Sequence, residues 1–175
     1  HVKKTQLQML LRGKNLVGYK KYDDTVIDLF IKKSSENGID IFRIFDALND
    51  INNIVHSIEC ANKYNANSQG TISYTTSPIH NEKYWLKLAK DIEDAGAKSL
   101  GIKDMAGLLK PKTAYDLIKK LKKNLNIPIH LHTHATTGLS DATNFKAYEA
   151  GVDNIDTSIS VSYTHLRAHE TSRDR

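Results

Sequence analysis

Short apolar runs alternate with longer amphipathic stretches along most of the chain. The apolar runs fall at 7–11, 39–45, 70–74, 99–102, 127–134 and 154–159 and are rich in Ile, Leu, Phe or Val. Their length and composition predict strands of a parallel sheet buried on both faces. Between them, 24–36, 50–64, 82–95, 113–125 and 140–150 repeat apolar residues at helical spacing. Asn37-Gly38, Gly96 and Gly151 follow three of these stretches as C-caps.

The order is therefore β-α repeated, ending on a strand, and strict alternation implies right-handed parallel crossovers. Two α/β architectures fit: a doubly wound sheet and a TIM (β/α)8 barrel. No Gly-x-Gly-x-x-Gly follows the first strand, which counts against the dinucleotide-binding form of the doubly wound fold. Polar residues gather at the C-terminal ends of strands: Arg12, Asp46, Lys103 with Asp104, and His132 with His134. Barrels keep their chemistry at that end. Six strands are countable, whereas a closed barrel needs eight and about 250 residues. The expectation is a barrel fragment holding about strands 2 to 7.

The pattern stops abruptly at 161–175, VSYTHLRAHETSRDR. Residues 161–171 resemble the translation of a transposon-end sequencing adapter. The stretch is expected to be a non-native tail, so the metal-like spacing of His165 and His169 is set aside.

Composition narrows the classes. The hydrophobic fraction is 39% and the charged fraction 26%, as in a soluble globular domain. No apolar run approaches the roughly 20 residues of a membrane span, and no signal peptide is expected, since no apolar stretch follows the charged start at 1–6. One cysteine, Cys60, excludes a disulfide framework, fits a reducing cytoplasm, and sits in a helical pattern as a small core residue. The net charge of +5 is spread over helix faces; its one dense run, Lys119, Lys120, Lys122 and Lys123, fits a solvated helix C-terminus better than a nucleic-acid surface.

Three segments carry candidate chemistry. In Ile127-Pro128-Ile129-His130-Leu131-His132-Thr133-His134, strand alternation puts three imidazoles on one face, about 6.6 Å apart in succession. Such a face is costly to bury unless it binds something, and imidazole is a common metal ligand; the alternative is an edge strand with its histidines in solvent. Lys103, at a strand end in Gly101-Ile102-Lys103-Asp104-Met105-Ala106-Gly107, suits a base, a Schiff-base former or a phosphate anchor, or an ion pair with a carboxylate such as Asp46. As an ammonium it has no lone pair for a metal. Arg12 at its strand end suits a carboxylate clamp, and Arg43, inside its strand, suits an interior ion pair.

Taken together, QMLLRG, NGIDIFRIFDALND, QGTISYTTSPIH, GIKDMAGLLKP, IPIHLHTHATTGLS and AGVDNIDTSIS resemble successive signatures of the carboxyltransferase domain of biotin-dependent enzymes. Pyruvate carboxylase, transcarboxylase and the oxaloacetate decarboxylase alpha subunit share that domain. The resemblance spans residues 5–160 in the family's order, making 1–160 a partial carboxyltransferase barrel. It implies carboxyl transfer between a 2-keto acid (oxaloacetate or pyruvate) and biotin at a divalent metal, Zn, Mn or Co. The implied metal ligands are Lys103 as a carbamylated lysine, His132 and His134, with His130 not among them. Arg12 and Tyr19 are implied to hold the keto acid, and Lys103 and Arg12 to be the catalytic groups. A further aspartate ligand would precede His1, and strand eight with a catalytic threonine would follow Ser160, so the fragment is expected to be inactive alone. The implied partners are a biotinyl carrier domain and further copies of the chain. Ala135 and the run from Ile155 to Ser160 favour the decarboxylase alpha subunit, which adds membrane-bound decarboxylase subunits as partners. Pyruvate carboxylase or transcarboxylase is the alternative, and a Schiff-base aldolase using Lys103 a more distant one.

Overall fold

The computed structural model describes residues 4–157. The helix-forming stretches begin and end within a residue or two of the sequence pattern. They are α1 (Asp24–Glu36), α2 (Ile51–Lys63), α3 (Glu82–Asp94), α4 (Pro111–Asn124) and α5 (Ser140–Glu149). Side-chain caps set two of the starts: Asp50 accepts from the Asn52 N–H and Asn81 from the Tyr84 N–H. Helix α4 starts two residues earlier than the pattern suggests, because Pro111 is pre-set for a first helical turn.

The strands are β1 (Gln8–Leu11), β2 (Ile41–Phe45), β3 (Asn67–Ser73), β4 (Ser99–Asp104), β5 (Ile129–Thr133) and β6 (Asn154–Ile155). They form one parallel sheet in the order β1-β2-β3-β4-β5-β6. A doubly wound sheet reverses its strand order at a switch point; this sheet runs in sequence throughout. One ion pair measures its curvature. Arg43 on β2 reaches Asp156, just past β6, at 2.5 Å. Strands four apart in a flat sheet lie about 19 Å from one another, beyond the reach of any arginine. The sheet therefore curls into an arc of a TIM barrel, with the helices outside.

The strands are not apolar on both faces, contrary to the sequence expectation. Leu11, Phe42, Ile44, Ile72, Leu100, Ile102, Ile129 and Leu131 point outward into the helix layer and are buried to 1% exposure or less. They meet Ile27, Ile31, Ile58, Ala89, Ile92 and Ile118 from the helices. The inward positions are mostly polar: Arg43, Gln69, Thr71, Ser73, Lys103, His130 and His132. Gly101 makes room for them, since a Cβ there would lie 2.7 Å from Thr71 Oγ1.

A second glycine fixes the loop after β1. Gly13 has φ +47°, and a Cβ on it would stand 2.3 Å from the backbone oxygen of Asn53 on α2. That contact is with backbone, so it cannot be relieved by a rotamer change. Gly13→Ala is expected to cost about 1–3 kcal/mol through overpacking and left-handed strain. Urea denaturation checks this, and an unchanged midpoint would contradict the close approach.

Candidate metal centre

Strand register assembles the site. Lys103 pairs with His132 and Gly101 with His130 across β4 and β5. His130 pairs with Asn154 across β5 and β6, which carries Asp156 to the level of His132. β5 lies between β4 and β6, so the edge-strand alternative for its histidines does not hold. His134 falls just past β5, but its N–H donates to the Asp104 carbonyl at 2.9 Å and extends the ladder by a step.

The three histidines divide into two roles. His132 and His134 bring their Nε2 atoms to 3.1 Å, with the rings edge to face. His132 Nδ1 lies 2.7 Å from Asp156 Oδ2, while His130 Nε2 bonds Asp156 Oδ1. Arg43 Nη1 donates to the same Asp156 Oδ2 at 2.5 Å, and its Nε donates to Gln69 Oε1 at 2.5 Å. Gln69 in turn donates to Ser99 Oγ at 3.2 Å. A carboxylate only accepts, so His132 carries its proton on Nδ1 and its Nε2 accepts from His134 Nε2–H, a hydrogen that a bound cation would replace.

That arrangement fits a cation. Two imidazole nitrogens on one metal at about 2.0–2.1 Å stand about 2.9–3.4 Å apart for angles between square and tetrahedral, and the observed 3.1 Å falls inside. Among the described residues, no three His, Cys, Asp or Glu side chains converge as a cage. The residue of another type nearest in the ladder is Lys103, the register partner of His132. Its Nζ lies over the Phe45 ring, 4.9 Å from the centroid.

Arg12 and Tyr19 also come together. The guanidinium sits 4.8 Å above the Tyr19 ring, which is 87% exposed. The Arg12 N–H donates to Leu16 O at 2.8 Å, closing the loop that Gly13 seats on α2. This pair belongs to β1 and its loop, whereas the histidines and Lys103 belong to β4 and β5.

Two strand-end carboxylates serve their own turns. Asp46 accepts from Leu48 N, Asp50 N and Asn53 Nδ2. Asp104 points outward and accepts from Leu108 N and Leu109 N. Cys60 is buried on α2, with its thiol pKa pushed up to about 11 by burial and by the Asp28 carboxylate beside it. It is a packing residue. Its reaction with a thiol reagent at pH 8 is expected to be at least about 100-fold slower than that of a free cysteine, following the loss of thiolate; rapid modification of native protein would contradict its burial. His165, His169 and the expected tail lie outside the described residues.

A family model described as HMGL-like matches residues 27–160. The chain belongs to the HMGL-like family. It is 51% identical over 159 residues to a pyruvate carboxylase subunit of Methanocaldococcus jannaschii, covering 91% of this chain and 28% of that one. It is also 51% identical over 158 residues to the methylmalonyl-CoA carboxyltransferase 5S subunit of Propionibacterium freudenreichii subsp. shermanii, covering 89% and 31%. The carboxyl transferase domain of Rhizobium etli pyruvate carboxylase, solved with pyruvate, superposes with a TM-score of 0.87 at 43% identity, covering 89% of this chain and 27% of that one. The chain thus spans less than a third of the length of these HMGL-like relatives. The partial TIM barrel expected from the sequence agrees with that likeness.

The residue that sequence inspection passed over is Asp156. The signal was present in the register: it stands two residues past the Asn154 that pairs with His130, on the same inward alternation. Burial alone would raise its pKa; hydrogen bonds from His130, His132 and Arg43 outweigh that and hold it far below the usual carboxylate range. A depressed pKa adds stability that is whole above the unfolded value and is lost as pH falls through the folded one. Arg43→Leu is expected to cost about 3 kcal/mol, the low end for breaking a buried pair, because Asp156 keeps 30% side-chain exposure. Denaturation midpoints at neutral pH check it, and a loss below the error of the measurement would sink it.

Proposed function

We propose that the chain is the keto-acid side of a biotin-dependent carboxyltransferase, with a divalent cation held by His132, His134 and a carbamylated Lys103. The observation that carries this reading is the 3.1 Å convergence of two Nε2 atoms beside a strand-end lysine on the C-terminal rim of the barrel. Carbamylation, addition of CO2 to the neutral amine with loss of one proton, would give Lys103 the anionic oxygen that an ammonium lacks. A cation bound there, Zn, Mn or Co, would supply Lewis acidity at the keto oxygen of oxaloacetate or pyruvate.

The chain's own residues would do the rest. Arg12 uses its guanidinium face on Tyr19, which leaves the N–H donors at its edge for a carboxylate or a developing enolate oxygen. Tyr19, exposed beside it, completes the substrate contact. His132 and His134 stay neutral as ligands, with the His132 proton kept on Nδ1 by Asp156. The transferred carboxyl group would arrive on, or leave with, biotin on a carrier domain.

Oxaloacetate decarboxylation is the direction we favour from Ala135 and the run after Ile155. In that direction the carbon–carbon bond of oxaloacetate breaks, the carboxyl group passes to biotin, and the enolate takes a proton to give pyruvate. Membrane-bound decarboxylase subunits and self-assembly would accompany it in the complete protein. A second reading, pyruvate carboxylation or transcarboxylation, is supported by the names of the relatives; it reverses the same step at the same groups.

The test is pyruvate formation from oxaloacetate with free biotin, in the full protein that carries this chain. Chelation is expected to abolish turnover, and added Zn, Mn or Co to restore it. His132→Ala, His134→Ala and Lys103→Met are each expected to lower kcat by at least about 100-fold, as loss of a transition-state charge partner does. ATP-dependent carboxylation of pyruvate in place of decarboxylation would select the second reading. Borohydride trapping of a keto acid on Lys103 would replace both with Schiff-base chemistry.

A further inference from the structure

We propose that Asp156 is the positioning residue of the His132–His134 site, and that Arg43 and His130 serve to hold it. The proposal rests on the metal reading above.

The geometry points to this from two sides. Asp156 spends both oxygens inside the barrel: Oδ1 on His130, Oδ2 on His132 and Arg43. A lone carboxylate in that interior would be costly, and one cation plus two ring N–H donors offset the cost. Arg43 is 4% exposed and is itself fixed by Gln69, so it anchors the same Asp156 Oδ2 that His132 Nδ1 meets. With its N–H on Nδ1, His132 directs its Nε2 lone pair at His134 Nε2, where a cation would replace the hydrogen between the two rings. Were the tautomer reversed, two acceptors would meet at Nδ1 and Oδ2, and Nε2 would carry hydrogen where a cation needs electrons. His130 has no place among the ligands because its Nε2 is already spent on the carboxylate. The third histidine of the run thereby gains a function: it occupies the second Asp156 oxygen and stops the carboxylate from rotating away from His132.

The experiment uses the full protein that carries these residues, with two readouts besides turnover: Zn affinity by competition with a chromophoric chelator, and the visible absorption of the Co-substituted form. Asp156→Asn is expected to bind Zn about 10–100-fold more weakly and to shift the Co bands, as loss of a carboxylate behind a ligating histidine does. Thr143→Val, which removes a buried hydrogen bond to Leu109 O on the helix layer, is the stability control and is expected to keep the affinity and the spectrum of the unsubstituted protein. Asp156→Asn that is folded and binds Zn with unchanged affinity overturns the inference while leaving the metal reading intact. Unsubstituted protein that binds neither Zn nor Co, and is indistinguishable from His132→Ala, overturns the metal reading and the inference with it. If Asp156→Asn does not fold, the long-range proton–nitrogen spectrum of the metal-free unsubstituted protein decides: His132 protonated on Nδ1 supports the proposal, and protonation on Nε2 overturns it.

Discussion

A half-buried carboxylate organises this barrel arc. Asp156 lies past the last described strand, yet its oxygens are bonded by Arg43 on the second strand and by two histidines on the fifth. An ionised group in that interior must be compensated by charge and hydrogen bonds from whatever surrounds it. The surrounding groups come from strands that are neighbours only if the sheet curls. The same bond thus ties curvature to chemistry: without the arc Arg43 cannot reach Asp156, and without Asp156 the imidazole of His132 has no fixed proton. Net stabilisation from such a pair is small, because desolvation offsets most of the attraction. Its value lies in geometry: four side chains hold one another in a single arrangement.

The division between faces explains how the fold tolerates so polar an interior. Stability comes from the outer interface, where strand residues such as Ile44, Leu100 and Leu131 and helix residues such as Ile58, Ile92 and Ile118 are wholly buried. Each fully buried aliphatic side chain is worth about 1.5–3 kcal/mol of transfer free energy. The inner face is then free to carry arginine, glutamine, lysine and histidine. Gly101 marks where this freedom is used most tightly, between Thr71 and Gln69 on the path to Lys103. Loop ties keep the rim in register. The Thr137 hydroxyl donates to Gly107 O at 2.8 Å and the Asp104 carboxylate closes the turn after β4, which ties the loops after β4 and β5 to each other beside the ends that bear Lys103 and His134.

Much of this was legible in the chain. The bounds of α1 agree with the sequence pattern at both ends, because Asn37-Gly38 stops a strongly periodic stretch. The strand ends that carry Arg12, Lys103 and His132 were also evident, since a charged or polar residue closing an apolar run is conspicuous. Other parts were hidden for physical reasons. β3 begins at Asn67, three residues before its apolar run, because Asn67-Ser68-Gln69 forms ladder bonds while presenting polar side chains. The apolar run at 154–159 gives a strand of two residues among those described, Asn154 and Ile155, too short for alternation to distinguish inward from outward positions. Asp156 was unremarkable for that reason: its meaning depends on a partner 113 residues away at Arg43. Periodicity reports which face a residue takes, and a closed polar network requires knowing what stands opposite.

That distinction bears on the histidine run. Alternation alone makes His130, His132 and His134 equivalent, and a search for metal ligands by spacing would accept all three or none. The deciding quantity is where each ring's second nitrogen is spent. His130 and His132 both give an N–H to Asp156, but through different atoms, Nε2 for the first and Nδ1 for the second. The remaining lone pair of His132 is therefore on Nε2, where it meets His134 Nε2, whereas that of His130 is on Nδ1, on the side of the ring away from the carboxylate. One shared acceptor thus turns the two rings differently, leaving Nε2 toward His134 on one histidine and Nδ1 away from the network on the other.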